Sequence, residues 1–378
     1  MVFHCRCFSF IFEKDDEIKY ETKTQTQSTS TQTYHTAYSD LNKFTSKIHA
    51  KTSEFPQSSQ TSEFSPSSLR VFNIDELEAA TKHFSTKIGK GGFGSVYYGV
   101  IKSLEHPFDD IHIAVKYASR EFQGHKEWET EINVLGVVKH PNLVKLVGYC
   151  TALSGTQLLL VYEYMPNKSV RDQLSAKCET PLSWTMRLKV AQDAARGLAY
   201  LHEEMDIQII FRDFKSSNIL LDDQWNAKLS DFGVARIVGA HEGLTHISTA
   251  FVGTLGYAAP EYLTEGHLSS KSDVWSYGVF LFELITGRRP LDKKKQRLTE
   301  WVKPYIDSKQ LKSIIDPKLE GDYSLNSAEK LANIANCCLI RDPKSRPKMS
   351  EVLEMVNQLL IEVPSGNQSP RVRSQRYK

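Results

Sequence analysis

The sequence lacks the features that mark several protein classes. Its 378 residues include only six cysteines, and no pair of them shows the C-x₂-C spacing of a zinc site. The formal net charge of +2 gives no support to nucleic acid binding. No apolar run approaches the roughly 18–20 residues that are needed to cross a bilayer. We therefore expect neither a disulfide framework nor a membrane-spanning receptor with an ectodomain. The cysteines predicted to be small core residues in a reducing compartment are Cys150, Cys178, Cys337 and Cys338.

The start of the chain also lacks a glycine after the initiator methionine. Val2 stands where N-myristoylation requires glycine, and the apolar segment is too short for a signal peptide. Cys5 and Cys7 lie among several phenylalanines, which leaves two interpretations open. Either cysteine could be S-acylated while the aromatic rings enter a membrane interface, or the segment is an unstructured terminus.

Composition divides the chain into three parts. Residues 1–70 are rich in Ser, Thr and Gln, which cannot bury enough apolar surface to offset the entropy of ordering, so we expect disorder. Residues 71–362 carry the patterns of a folded domain, and residues 363–378 form a basic tail that could assist weakly at an anionic membrane or simply be solvated.

A short polar loop carries the strongest chemical signal. Asp213, Lys215 and Asn218 lie between two apolar segments, and Asp231 follows in an Asp-Phe-Gly turn. Phosphoryl transfer from a nucleotide needs a carboxylate that orients the acceptor hydroxyl, a cation near the moving group and oxygen ligands for Mg²⁺. These motifs resemble the catalytic loop and metal-binding turn of eukaryotic protein kinases. The resemblance assigns catalytic roles to all four residues and makes Asn218 and Asp231 the Mg²⁺ ligands.

A glycine-rich segment precedes this loop by more than a hundred residues. Residues 89–96 fit the pattern G-x-G-x-x-G-x-V, and the β-branched and aromatic residues 96–100 that follow predict a strand. A dinucleotide-binding unit would need a helix there, so the pattern favours a hairpin over ATP. The residues predicted to contact the nucleotide at this hairpin are Ile88, Gly89, Lys90, Gly91, Gly92, Phe93, Gly94, Ser95 and Val96.

Lys116 ends an alternating strand and matches the kinase lysine that contacts the α- and β-phosphates. Its expected partner is Glu131, which lies beside the apolar stripe of an amphipathic helix predicted over residues 125–138. Glu127 and Glu129 are interpreted as solvated helix charges.

The remaining landmarks follow the kinase order. Residues 159–166 resemble the hinge, where Glu163 and Met165 would supply backbone contacts to adenine and Tyr162 would guard the back of the pocket. Residues 187–202 predict a long helix that is buried on one face. By resemblance, Asp273 would hold the backbone of the catalytic loop, and Glu261 would pair with Arg346.

Two residues indicate the acceptor. Lys215 and Thr254 match the forms found in serine/threonine kinases, where the threonine links the catalytic Asp and Lys. Phe211 replaces the histidine that kinases usually have two residues before the catalytic aspartate, and we expect its ring to fill the same volume without the polar contact. The chain resembles the receptor-like cytoplasmic kinases of plants, subfamily VII, over residues 70–362. The resemblance rests on this aromatic residue and on residues 72–81, 143–150 and 212–222.

That resemblance implies an α+β, two-lobed fold, with a small lobe at about 71–163 and a larger helical lobe at about 166–362. It implies ATP and Mg²⁺ as cofactors and proteins as substrates. It also implies a monomer in the cytoplasm or at the inner face of the plasma membrane, acting downstream of receptor kinases in immune signalling. The alternative is a pseudokinase scaffold that binds receptors without catalysis, but every residue that the chemistry needs is present.

Arg212, which precedes the catalytic aspartate, predicts that phosphorylation regulates the activity. A buried arginine here is expected to lack a fixed partner until a phosphate arrives on the following segment. Ser248 and Thr249 match positions that are phosphorylated in related kinases. Thr254 is a further candidate that also has a structural role.

Overall fold

A computed structural model of the chain describes residues 69–91, 94–103, 109–118, 122–151, 158–238 and 246–362. The N-terminal part is a six-stranded sheet in the order β1-β5-β6-β4-β3-β2. Its strands are β1 (Arg70–Val71), β2 (Lys87–Gly91), β3 (Gly94–Lys102), β4 (Asp110–Ala118), β5 (Leu146–Thr151) and β6 (Leu158–Glu163). The pairs are antiparallel except that β1 runs parallel to β5. Helix α2 (Phe122–Leu135) packs against this sheet.

The segment before β2 completes the small lobe. Helix α1 (Ile74–Ala80) begins after Asn73, whose side chain accepts a hydrogen bond from the Glu76 N–H at 2.7 Å. Phe72 and Leu77 are buried in one cluster with apolar residues of β4 and β6. A Cβ on Gly148 would lie 2.0 Å from the carbonyl oxygen of Arg70, so only glycine lets β1 approach β5 this closely.

The C-terminal lobe is mainly helical, which confirms the predicted α+β architecture. Its helices are α3 (Val170–Leu174), α4 (Trp184–Ala199), α5 (Pro260–Glu265), α6 (Ser270–Thr286), α7 (Leu298–Asp307), α8 (Leu325–Cys338) and α9 (Met349–Glu362). Its strands are β7 (Gln208–Ile210), β8 (Ile219–Leu221), β9 (Ala227–Leu229), β10 (Arg236–Val238), β11 (Ile247–Ser248) and β12 (His267–Leu268). They form three antiparallel pairs, β7 with β10, β8 with β9 and β11 with β12. These short pairs carry the loops of the site.

The long helix predicted over residues 187–202 has the expected length but begins and ends three residues earlier, at Trp184 and Ala199. Helix α4 starts after Ser183, whose hydroxyl accepts a hydrogen bond from the Met186 N–H at 3.3 Å. Tyr200–Glu204 then form a wide π-helical turn. Within this turn the buried His202 lies 2.8 Å from Asp273 of α6, so a tertiary contact accompanies the change in helical pitch.

The cysteine prediction was right for two of the four positions. Cys150 and Cys338 are buried, but Cys178 is half-buried and Cys337 is exposed. Cys337 and Cys338 are consecutive in α8, so they point to different sides of the helix and only one of them faces the core. None of the helices in the described ranges is long and apolar enough to cross a membrane.

Candidate active site

Helix α6 fixes the backbone of the catalytic loop. The carboxylate of Asp273 accepts hydrogen bonds from the N–H groups of Phe211 at 2.7 Å and Arg212 at 2.8 Å. The same carboxylate lies 2.8 Å from Nε2 of His202. Arg212 has a φ of +75°, a backbone conformation that is energetically unfavourable for any residue that carries a side chain. The role that the resemblance implied for Asp273 is therefore seen in its contacts, which hold this strained loop.

Asp213 is buried among polar partners. Its Oδ2 accepts a hydrogen bond from Nζ of Lys215 at 2.6 Å, and its Oδ1 accepts one from Oγ1 of Thr254 at 2.8 Å. Lys215 also donates to Thr254 Oγ1 at 3.2 Å, so the threonine links the two residues as predicted. The amide nitrogen of Asn218 donates to the main-chain carbonyl of Asp213 at 3.0 Å. These contacts fix the direction of the Asp213 carboxylate, which the resemblance assigns to the acceptor hydroxyl.

Lys116 of β4 joins the two lobes. Its Nζ donates to Glu131 of α2 at 2.8 Å, the pair that the sequence predicted, and to Asp231 of the Asp-Phe-Gly turn at 2.7 Å. Burial alone would lower the pKa of the ammonium group, but the charges of Asp231 and Glu131 raise it overall. Burial raises the pKa of Glu131, and the charge of Lys116 opposes that rise. Lys116 is therefore a fixed cation in the cleft.

An edge-to-face pair of aromatic rings supports the Asp-Phe-Gly turn. Phe232 is fully buried and meets the ring of Phe211 edge to face, with centroids 5.0 Å apart and planes at 88°. Phe211 is itself fully buried, so its ring fills the interior volume as expected. The Phe232 N–H donates to Glu131 at 3.3 Å, and Asp231 has a φ of +70°. The aromatic pair and the carboxylate of α2 together hold the turn in place.

The interpretation of Glu127 as a solvated charge is wrong. Glu127 is only 5% exposed, and a Cβ on Gly233 would lie 3.0 Å from the Glu127 Cβ. Residues 127 and 131 are four apart in α2 and therefore share the helix face that packs against the turn. Glu129 is half-buried.

The glycine-rich segment forms a hairpin beside Lys116. In its register Gly89 pairs with Val96, Lys90 with Ser95 and Gly91 with Gly94. Val96 in turn lies opposite Lys116 in the β3–β4 pair. Ile88 is 40% exposed, and the predicted contacts Gly92 and Phe93 lie outside the described residues. The hairpin residues that are described thus flank the lysine that the resemblance assigns to the phosphates.

Strand β6 ends at the predicted hinge. Tyr162 is buried, and burial together with the nearby Glu131 charge raises the pKa of its phenol. The carboxylate of Glu163 bonds to Nζ of Lys228 in the large lobe at 2.8 Å and to the N–H of Lys145. Met165 is buried at the start of the loop that follows. The hinge residues therefore lie where the two lobes join.

The predicted metal ligands are adjacent. The N–H and the hydroxyl of Ser230 both donate to the carbonyl oxygen of Asn218, at 2.8 Å and 3.0 Å, which places Asp231 beside Asn218. A carboxylate and an amide oxygen suit Mg²⁺. Within the described ranges no group of three or more His, Cys, Asp and Glu residues could hold a metal ion. Mg²⁺ in nucleotide sites commonly takes its further ligands from phosphates and water.

Of the predicted phosphorylation sites Ser248 and Thr249, the structure brings Thr249 to Arg212. Ser248 is exposed, and Thr249 is half-buried with its Oγ1 3.4 Å from Arg212 Nη2. Arg212 already donates to the hydroxyl of Tyr262 at 2.7 Å and to the carbonyl of Ala250 at 2.8 Å. The expectation of an arginine without a fixed partner was therefore wrong. Its partners are neutral, however, and none of the carboxylates that the structure describes forms a salt bridge with it.

Sequence reasoning missed one polar network. Glu283, buried within the apolar helix α6, accepts hydrogen bonds from Ser216 Oγ at 2.8 Å and from the hydroxyl of Tyr257. It thereby joins the catalytic loop to residues 255–257. The signal was available, because a single acidic residue within the apolar stretch 279–285 predicts a buried carboxylate with dedicated partners.

Known proteins resemble the chain over most of this structure. Residues 82–356 match the family described as "Protein kinase domain". The serine/threonine-protein kinase PCRK1 of Arabidopsis thaliana is 60% identical over 316 residues, 81% of this chain and 75% of the relative. The serine/threonine-protein kinase PCRK2 of the same plant is 56% identical over 348 residues, covering 87% and 83%. The EPD1-interacting receptor-like cytoplasmic serine/threonine-protein kinase 5D of Gossypium barbadense is 48% identical over 319 residues, covering 81% and 68%.

Proposed function

Since the chain belongs to the protein kinase family, as a receptor-like cytoplasmic serine/threonine kinase, we propose that Asp213, Lys215, Asn218, Asp231, Lys116 and Glu131 carry out its phosphoryl transfer. The family and its relatives confirm the predicted enzyme class. Kinases of this family use ATP and Mg²⁺ and act on proteins.

In the proposed mechanism, Asp213 orients the acceptor hydroxyl of a serine or threonine and accepts its proton at a carboxylate oxygen. Thr254 and Lys215 hold that carboxylate in one orientation, and the ammonium group of Lys215 offsets negative charge as it develops. Lys116, oriented by Glu131, binds the α- and β-phosphates. Asn218 and Asp231 would hold Mg²⁺, which would supply positive charge to the phosphate oxygens. Residues 88–96 cover the phosphates, and the backbone of Glu163 and Met165 binds adenine.

One observation carries this proposal. Lys116 contacts Glu131 and Asp231 at the same time, and these three residues come from β4, α2 and the Asp-Phe-Gly turn. A scaffold that only bound partners would not need three ionisable groups from two lobes to meet in this way. Nor would it need the second ion pair, which the buried residues Asp213 and Lys215 form. The arrangement supports an active enzyme over a pseudokinase.

The replacement Asp213→Asn tests the mechanism. It keeps the shape of the side chain but removes the carboxylate, so autophosphorylation with radiolabelled ATP should fall by about 10²–10⁴-fold. Asp223→Asn, at a nearby exposed position, is the matched control and should retain normal incorporation. Thermal unfolding of both proteins checks that they fold. Phosphate incorporation at the wild-type level in purified Asp213→Asn protein would refute the role of Asp213.

The signalling role is also part of the proposal. We place the protein in the cytoplasm and at the inner face of the plasma membrane, as a monomer downstream of receptor kinases in plant immune signalling. The support is the likeness to receptor-like cytoplasmic kinases, one of which is named as EPD1-interacting. Immunoprecipitation of a tagged protein with mass spectrometry, before and after elicitor treatment, should recover a receptor kinase whose amount changes on treatment. Recovery of none in either state would count against this role.

Membrane attachment depends on Cys5 and Cys7, which lie outside the described residues. One acyl chain adds about 0.8 kcal/mol per buried methylene and holds a protein only reversibly, so a second hydrophobic signal is needed. We expect a C-terminally tagged protein to be enriched at the plasma membrane and the Cys5→Ser, Cys7→Ser double variant to lose that enrichment. A Cys337→Ser variant, which alters an exposed cysteine of α8, is the control. Equal membrane fractions of the wild type and the double variant would mean that any attachment comes from a bound receptor.

A further inference from the structure

The loop between α6 and α7 is strongly basic. Residues 288–297, here called the basic turn, contain six Lys or Arg residues and a single acidic one, Asp292. Five of the six cationic residues are exposed, and Arg297 is half-buried. A surface of this kind attracts anionic groups, and the question is which anionic partner its position admits.

Asp292 shapes the turn and does not neutralise it. Its Oδ1 accepts hydrogen bonds from the N–H groups of Lys294 at 2.8 Å and Gln296 at 2.9 Å. The main chain closes the turn as well, since the Asp292 N–H donates to the Gln296 carbonyl at 3.1 Å and the Lys295 N–H donates to the Asp292 carbonyl at 3.0 Å. The backbone is thus fixed by its own residues. Three consecutive lysines, residues 293–295, are displayed at its tip.

These cations have no carboxylate of their own. Arg288 lies over the ring of Trp301, with its guanidinium carbon 3.8 Å from the centroid. Within the ranges that the structure describes, Arg289 and the lysines at 293–295 form no ion pair. Like charges held this close repel one another, so an anionic partner would relieve the repulsion.

The basic turn lies against Gly256, in the segment that follows Thr254. A Cβ on Gly256 would meet the Cβ of Pro290 at 3.0 Å and the nitrogen of Leu291 at 3.3 Å. Gly256 is two residues from Thr254, whose hydroxyl bonds to Asp213. Between them Leu255 is 43% exposed. A protein segment that presents a hydroxyl to Asp213 therefore passes close to the basic turn.

The electrostatics of Glu283 place further positive charge near the catalytic loop. Burial raises the pKa of Glu283, while its hydrogen bonds from Tyr257 and Ser216 and the charges of Arg171 and Arg289 oppose that rise. Helix α3, which carries Arg171, packs against residues 216–218, and Arg289 belongs to the basic turn, so both arginines lie near the network that holds Ser216. The basic surface extends from residue 289 toward the catalytic loop.

We infer that the basic turn, together with Arg171, selects protein substrates that carry acidic or phosphorylated residues close to the acceptor serine or threonine. The inference rests on the proposed function and adds to it a class of substrate. An anionic lipid surface would also attract these lysines, but a membrane at this position would cover the approach to Asp213 that a protein acceptor needs. The position of the turn thus favours a peptide partner.

Synthetic acceptor peptides provide the test. Four peptides share one acceptor serine, and its neighbours are alanine, glutamate, phosphoserine or lysine. At low ionic strength we expect kcat/KM for the glutamate and phosphoserine peptides to exceed that for the alanine peptide by about tenfold, because single exposed ion pairs are weak and two or three act together. The Arg289→Gln, Lys293→Gln, Lys294→Gln variant should lower this ratio to near one.

A matched control separates selectivity from a general loss of charge. The Lys309→Gln, Lys312→Gln, Lys344→Gln variant removes the same number of exposed charges elsewhere on the large lobe and should keep the wild-type ratio. The Lys293→Glu, Lys294→Glu variant should reverse the preference toward the lysine peptide, an effect that a merely structural role of the turn would not produce. Added salt should shrink every ratio toward one.

The possible outcomes are distinct. A wild-type ratio near one, or a ratio that the Gln variant of the turn leaves unchanged, overturns the inference while the proposed function stands. Loss of binding to phosphatidylserine vesicles in that variant, with its peptide ratio unchanged, would assign the turn to a membrane and also overturn the inference. A wild-type enzyme that incorporates no phosphate would overturn the proposed function and this inference with it.

Discussion

Lys116, whose side chain is 13% exposed, and Arg187, which is fully buried, are both cations inside the fold, but the structure uses them differently. Lys116 lies between two carboxylates that come from separate lobes, Glu131 and Asp231. Arg187, in the interior of the large lobe, pairs with one carboxylate, Asp316, at 2.7 Å. Its Nε and Nη1 donate to the main-chain carbonyls of Leu182 at 3.0 Å and Leu284 at 2.8 Å. The active-site lysine thus has more negative charge around it than it can balance, whereas the charge of the arginine is balanced by one carboxylate and its position is fixed by two main-chain carbonyls.

A second arginine repeats the large-lobe pattern. Arg346 forms a two-point contact with Glu261, with both N···O distances at 2.7 Å, and donates to three main-chain carbonyls as well. The planar guanidinium group fixes several partners at once, while an ammonium group is a compact charge that can exchange partners. The comparison teaches that arginine is used where the fold must stay fixed. Lysine is used at the cleft, where the surplus carboxylate is Asp231, the proposed Mg²⁺ ligand.

The largest expected effect comes from breaking the large-lobe pair. Arg187→Met leaves the Asp316 carboxylate buried without its partner and should lower the free energy of unfolding by about 3–5 kcal/mol in urea denaturation. The double variant Arg187→Met, Asp316→Asn removes the stranded charge and should recover part of that loss. Arg196→Met, at a half-exposed position of the same helix, is the control and should change stability by about 0.5 kcal/mol or less. A loss no greater than the control's would mean that Arg187 does not act as a structural cation.

Removal of the active-site lysine should affect activity more than stability. Lys116→Met should lower kcat/KM for a protein substrate by about 10²–10³-fold, since a preorganised charge in the cleft is lost. Unfolding should change less than in Arg187→Met, because removal of the cation leaves two carboxylates that can take up a proton. Lys102→Met in β3, where the side chain is 73% exposed, is the matched control for the small lobe. A variant that unfolds as readily as Arg187→Met but remains active would reverse the comparison.

Arg212 lies between the two patterns, since it is a buried arginine whose partners in the structure are neutral. If it awaits a phosphate, the double variant Ser248→Ala, Thr249→Ala should lower activity on an added substrate several-fold and leave ATP binding largely unchanged. Thr249→Ala alone should account for most of the loss, because Thr249 is the closer of the two. Thr264→Ala on α5, an exposed position, is the control. Phosphopeptide mapping should find phosphate on residues 248–249, and full activity in the double variant would direct attention to Thr254.

Motif order predicted the site well where the chemistry itself fixes the neighbours. The Lys116–Glu131 pair, the Asp273 contacts with the catalytic loop and the Glu261–Arg346 pair were all expected from sequence, and the contacts are present. Each pairs a charged side chain with a partner of defined type, so the sequence leaves few candidates. The catalytic, nucleotide-binding and metal-binding roles of these residues remain predictions for the experiments above.

The errors share a different cause. Glu127 was interpreted as solvated because Glu131 was the expected partner of Lys116, yet the turn at Gly233 covers it. Cys337 was expected in the core because cysteine usually is, yet the orientation of α8 leaves it exposed. The position of the basic turn beside Gly256 was equally hidden. Such facts depend on how segments far apart in the chain pack, and periodicity within one segment does not contain them.

The small lobe has a further consequence for where the independently folding unit begins. The match to the kinase family starts at residue 82, but Phe72 and Leu77 belong to the buried cluster, and β1 covers the outer edge of β5. A fragment cut at residue 82 would bare that apolar surface and leave β5 as an open edge, which is a template for pairing with another chain. Residues 70–81 therefore protect the small lobe from self-association. A shortened kinase that lacks them would be prone to aggregate even though every proposed catalytic residue is intact.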